Sequence, residues 1–71
     1  MIEKLIQFLE ERKLFILRSE TYETKKAFYQ QAFGAIEFAY LLAETEADYE
    51  TISDLWTEKW KYDLEELVYE D

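Results

Sequence analysis

Seventy-one residues with a formal net charge of −9 allow one small domain, and 49% apolar residues suffice for a single modest core. The absence of cysteine and histidine excludes disulfides, thiol nucleophiles and iron–sulfur clusters, and removes the commonest metal ligand and neutral-pH base. With no proline and one glycine there is almost no turn punctuation, so an all-α chain is expected.

The first helix is predicted over about residues 2–17, where Ile2, Leu5, Ile6, Leu9 and Ile16 share a face with Lys13 in its middle. Phe8 and Phe15 lie beside that stripe. The run Leu14 to Leu17 also fits a short strand, but nothing elsewhere in the chain would pair with it, and the helix is preferred. Ser19 and Thr21 are the first N-cap candidates after it.

A second helix follows over about 22–43. Tyr22, Lys26, Tyr29, Phe33, Ile36, Tyr40 and Ala43 keep a four-three spacing that makes a heptad seam, flanked by Phe28, Ala32, Ala35, Ala39 and Leu42. Gly34, Phe38 and Leu41 form a smaller apolar patch on the far side. Glycine inside a helix costs about 1 kcal/mol relative to alanine. A close contact at Gly34, Phe38 and Leu41, within the fold or between two copies, is therefore predicted.

Thr45 and Asp48 resemble a capping box, opening a third helix over about 46–69. Its main stripe is Tyr49, Ile52, Trp56, Trp60, Leu64 and Leu67, with Leu55, Tyr62 and Tyr69 as a thinner second line. Ser53-Asp54 offers an alternative cap, so a break near residues 49–53 is an open alternative. The chain reads as one domain, 1–71, built either as a three-helix bundle or as a long helical hairpin with the N-terminal helix docked on it. A domain this small buries only about 60% of its unfolded surface, and the extra apolar faces leave a homodimer open.

The charge is lopsided. Residues 1–43 carry six acids and six bases, whereas residues 44–71 carry eleven acids and two bases. Such a field repels phosphate backbones and anionic membranes and attracts basic protein surfaces. Neither direct nucleic-acid binding nor membrane binding is expected. No targeting signal is visible, and the longest nearly apolar run, residues 32–43, is short of a bilayer span, so a cytosolic address is expected.

Glu46, Glu50, Asp54 and Glu58 repeat every four residues, and Glu65 is expected to continue their face beyond Lys61. Like charges at this spacing destabilise a helix by about 0.2–0.5 kcal/mol per pair, so three pairs cost on the order of 1 kcal/mol. A face kept for solubility explains the acids, helped near the helix N-terminus by the macrodipole. That help fades within the first turn and does not reach Glu58. The alternative is recognition: carboxylates about 6 Å apart on a rigid rod suit a groove built for phosphates. Tyr62 and Tyr69, flanked by acids, would add contact area toward arginines of a partner.

Other constellations are weaker. Trp56 and Trp60 at helical spacing read as core before interface. Glu37, at the edge of an apolar stretch, is a candidate acid or base, but it reads first as half of an ion pair with Lys13, Lys26 or Arg12. No Glu-x-x-His pair supports a di-iron site, Asp48-x-Glu50 lacks the rest of a calcium loop, and the serines have no histidine base. No enzyme, metal or cofactor is expected.

In size, acidity, lack of cysteine and compactness the chain resembles the small acidic proteins with which phages and other mobile elements block restriction, CRISPR and transcription machinery. The resemblance implies a non-enzymatic inhibitor that mimics nucleic acid on the basic surface of a nucleic-acid-handling protein. Glu46, Glu50, Asp54, Glu58 and Glu65 would supply charge, and Tyr62 and Tyr69 contact. The alternative is a structural adaptor or assembly subunit acting through the apolar faces of the first two helices.

Overall fold

The computed structural model describes residues 2–69, and these form an all-α bundle of three rods, each antiparallel to the one before it. Helix α1 (Ile2–Arg18) and α2 (Tyr22–Leu42) are followed by a third rod made of α3 (Glu46–Leu55), a π turn (Trp56–Trp60) and α4 (Lys61–Tyr69). The connections are three residues each, 19–21 and 43–45, which is the short linkage that antiparallel neighbours use. The bundle is elongated, 39 × 18 × 16 Å. The Leu14 to Leu17 run is helical.

Both predicted helix starts have their caps. Thr21 Oγ1 accepts from the Thr24 amide at 3.2 Å, and Thr45 Oγ1 accepts from the Asp48 amide at 3.1 Å. Each satisfies one of the amides that a helix N-terminus leaves unpaired. Ser19 instead donates back to the Phe15 carbonyl at 2.6 Å, closing the end of α1. The Ser53-Asp54 alternative is not used: α3 runs through both residues.

The core is drawn from all three rods: Leu5, Leu9 and Ile16 of α1, Ala32, Ile36 and Ala39 of α2, and Ile52, Trp56, Trp60, Leu64 and Val68 of the third. Each fully buried aliphatic side chain contributes about 1.5–3 kcal/mol. Helix α2 is the shared wall. Its alanine-rich flank lies against α1, where small side chains allow close approach and Phe28 stacks on Phe15 with ring centroids 5.2 Å apart. Its seam lies against the third rod: Tyr29 and Phe33 meet Trp56 at 6.1 and 5.9 Å, and Tyr40 stacks on Tyr49 at 4.5 Å. Only Ile36 of the seven predicted seam residues is fully buried, because the buried line of α2 falls between seam and flank.

The third rod departs from its predicted stripe for a geometric reason. Its buried residues are spaced strictly by four, and at about 100° per residue each step overshoots a full turn by about 40°. Four steps would carry Val68 roughly 160° away from Ile52. The π turn, in which the Lys61 amide reaches the Trp56 carbonyl five residues back, takes up roughly a quarter turn of that drift. Val68 therefore joins the core and Leu67 is only partly buried, while Tyr49, ahead of the π turn, is exposed and stacks on Tyr40. Thr57 Oγ1 bonds the Ser53 carbonyl at 2.8 Å just where the ladder is loosened.

The patch opposite the seam is not covered. Phe38 and Leu41 are 61% and 81% exposed, and a Cβ added at Gly34 would meet nothing within 4 Å. The close contact predicted at Gly34, Phe38 and Leu41 is thus absent among the described residues, since both neighbouring rods pack on the other faces of α2.

Candidate functional site

The predicted recognition residues other than Glu65 fall on the outward side of the third rod. Glu46, Glu50, Asp54 and Glu58 are all exposed on α3 and the π turn. Among the described residues the one ion pair joins Lys13 to Asp63 at 3.8 Å, on the side facing α1, so none of their bases pairs with the row. Lys59, the nearest base in sequence, lies over the Trp60 ring at 4.8 Å instead. Glu46 and Asp48 stand in the first turn of α3, where the macrodipole favours them, but Glu50, Asp54 and Glu58 have no such support.

Beyond the π turn the outward side continues on α4, with altered membership. The extra residue in that turn rotates α4 by roughly a quarter turn against an uninterrupted helix. Tyr62 and Tyr69 point outward, 62% and 51% exposed. Glu65 moves off the acid row to its edge, where it accepts a hydrogen bond from the Tyr29 hydroxyl of α2 at 3.1 Å. The expectation that Glu65 continues the row is corrected accordingly. Glu66, which the sequence reading missed, takes the outward place. Its signal was the i, i+3, i+4, i+7 spacing of Tyr62, Glu65, Glu66 and Tyr69, which puts all four on one helix face. Together they line a shallow depression of about 320 Å³.

Burial pushes the Tyr29 hydroxyl up to about 12, reinforced by its hydrogen bond to Glu65 and by the charge of that carboxylate. The Tyr69 ring sits edge-on to Tyr29 at 6.0 Å and to Tyr22 at 5.9 Å. One wall of the depression is thereby fixed by packing on α2, while Tyr62 stands free.

Two other depressions differ in chemistry. One of about 240 Å³ is nearly all apolar, formed by Leu5, Ala35, Phe38, Ala39 and Leu42 with Lys4 at its rim. The other, about 340 Å³, lies between α1 and the π turn and brings Lys13 and Lys59 to the Trp60 indole beside Glu10. Arg12 is stacked between the Phe8 and Phe15 rings at 4.5 and 4.6 Å and donates to Gln31 at 2.6 Å. Its guanidinium serves packing between α1 and α2, with Nε buried and unpartnered among the described residues.

Glu37 is exposed, and the ion pair expected for it with Lys13, Lys26 or Arg12 does not form: Lys13 reaches Asp63 and Arg12 reaches Gln31. Its place on the solvent side of α2 explains both. Trp56 and Trp60 are buried, as their spacing predicted. No group of metal-ligating side chains occurs among the described residues, and none of their helices is long and apolar enough to cross a membrane. The chain matches no protein-family model, no curated protein and no solved structure.

Proposed function

We propose that this is a cytosolic, non-enzymatic binding protein whose acidic third rod docks on the basic surface of a partner that handles nucleic acid. The observation that carries the reading is the uncompensated carboxylate row Glu46–Glu50–Asp54–Glu58, exposed along a rigid helix whose inner face is locked into the core. Residues 46–69, at about 1.5 Å rise per residue, form a rod roughly 35 Å long. Carboxylates regularly spaced on such a rod present negative charge as a nucleic-acid strand does, so occupancy would exclude nucleic acid from the partner. The protein then acts as an inhibitor, in the manner of the anti-defence proteins of phages and mobile elements, CRISPR inhibitors among them.

The test is competition. A partner captured from lysate of the source organism or its host is identified by mass spectrometry and rebound to the purified protein in the presence of its nucleic acid. Mutual exclusion supports the reading, and simultaneous binding of both removes it.

A second reading, a structural adaptor or homo-oligomeric assembly subunit acting through the apolar faces of α1 and α2, is favoured by the exposure of Phe38, Leu41 and Leu42 beside the apolar depression. It predicts an oligomer that resists salt and tolerates charge reversal on the third rod.

A further inference from the structure

The outward face of α4 has chemistry that the carboxylate row alone lacks. Tyr62 and Tyr69 stand two turns apart with Glu65 and Glu66 between them, so two aromatic rings and two carboxylates border one depression. The Tyr29 hydroxyl bonds Glu65 Oε1 and leaves the second oxygen of that carboxylate unbonded among the described residues. No lysine or arginine among the described residues pairs with either glutamate. Tyr22 and Tyr29 back the Tyr69 ring, so this wall keeps its place without a ligand.

A cation that is flat, carries several donors and stacks on aromatic rings fits these four side chains. The guanidinium group has all three properties, while an ammonium group has neither plane nor fork. We propose that the Tyr62–Glu65–Glu66–Tyr69 depression receives a single arginine side chain projecting from the basic partner. The inference rests on the binding role proposed above and specifies its chemistry: the ring of Tyr62 or Tyr69 stacks on the guanidinium while Glu65 and Glu66 accept its N–H groups. The acid row then supplies long-range attraction, and this face the register in which the partner docks.

The test needs no partner protein. Isotope-labelled protein is titrated with a short capped peptide containing one arginine, and in parallel with the same peptide carrying lysine or citrulline, the neutral isostere of arginine. Expected are saturable NMR shifts centred on Tyr62, Glu65, Glu66 and Tyr69, weaker with lysine and absent with citrulline. Tyr62→Ala is expected to weaken binding roughly two- to fivefold, the range of an exposed cation–π contact. Glu66→Gln is expected to weaken it similarly, and both variants leave the helical circular dichroism unchanged because both side chains are exposed. Shifts of equal size with citrulline, or none at these residues, overturn the proposal. If arginine fails to bind while the Glu46–Glu58 row still governs partner capture, only the arginine site falls. If arginine binds and no nucleic-acid-handling partner is found, the inhibitor reading falls instead.

Discussion

Replacing Gly34 by alanine is expected to stabilise the protein by about 1 kcal/mol, the helix-propensity difference between the two residues. The structure supplies the conditions for taking that value whole. Gly34 lies mid-way along α2, has an ordinary negative-φ backbone, and would direct a Cβ into open space. No strain and no clash offset the gain, and part of it comes from the reduced freedom of the unfolded chain. For a domain of this size 1 kcal/mol corresponds to roughly 4–8 °C in Tm. Thermal and urea unfolding, followed by circular dichroism at several protein concentrations, measure it directly. An unchanged or lowered stability refutes the reasoning. A loss that grows with protein concentration identifies the cause as a second helix packed on this face, and favours assembly through α2.

Glu50 has like-charged neighbours on both sides, at Glu46 and Asp54, so Glu50→Lys replaces two repulsive i,i+4 pairs by attractive ones. Urea unfolding at low salt is expected to show a gain on the order of 1 kcal/mol that shrinks as salt is added. Ile52→Ala or Leu64→Ala, removing side chains with no exposed surface, is expected to cost about 2–5 kcal/mol, enough to leave much of the chain unfolded at room temperature. The Tyr29 hydroxyl titrates near 12 in the folded protein against an ordinary 10.0, so the folded state holds its proton more tightly. Its contribution is complete below pH 10 and is lost as pH rises toward 12. Tyr29→Phe is expected to flatten the alkaline unfolding curve in that window and to remove its tyrosinate absorbance step.

The helices were legible because apolar spacing and caps agreed. Thr21 and Thr45 mark both N-termini, and no strand-forming segment has a partner. What periodicity missed were departures from 3.6 residues per turn. The four-residue spacing from Ile52 to Val68 asks for a π turn, whereas an ideal helix would place Leu67 inward and Glu65 outward. The apolar patch at Phe38 and Leu41 misled for a different reason. An apolar face shows that contact is favourable, while the direction in which a three-residue loop returns the chain decides which face receives it. Lys13 in the apolar stripe of α1 was resolved by Asp63, a partner fifty residues away in sequence that no local pattern reveals. The outward direction of the acid row followed from the sequence alone, since the opposite face of the same rod carries the tryptophans.

Whether that row exists for recognition or only for solubility is decided most directly by paired affinity capture. The wild-type bait is run beside one carrying Glu46→Lys, Glu50→Lys, Asp54→Lys and Glu58→Lys, after circular dichroism has shown both to be folded. The account predicts that the wild type alone enriches a nucleic-acid-handling protein, and that salt releases it, because exposed charges are screened beyond about 8 Å at physiological ionic strength. Equal recovery of the same partner by both baits contradicts it.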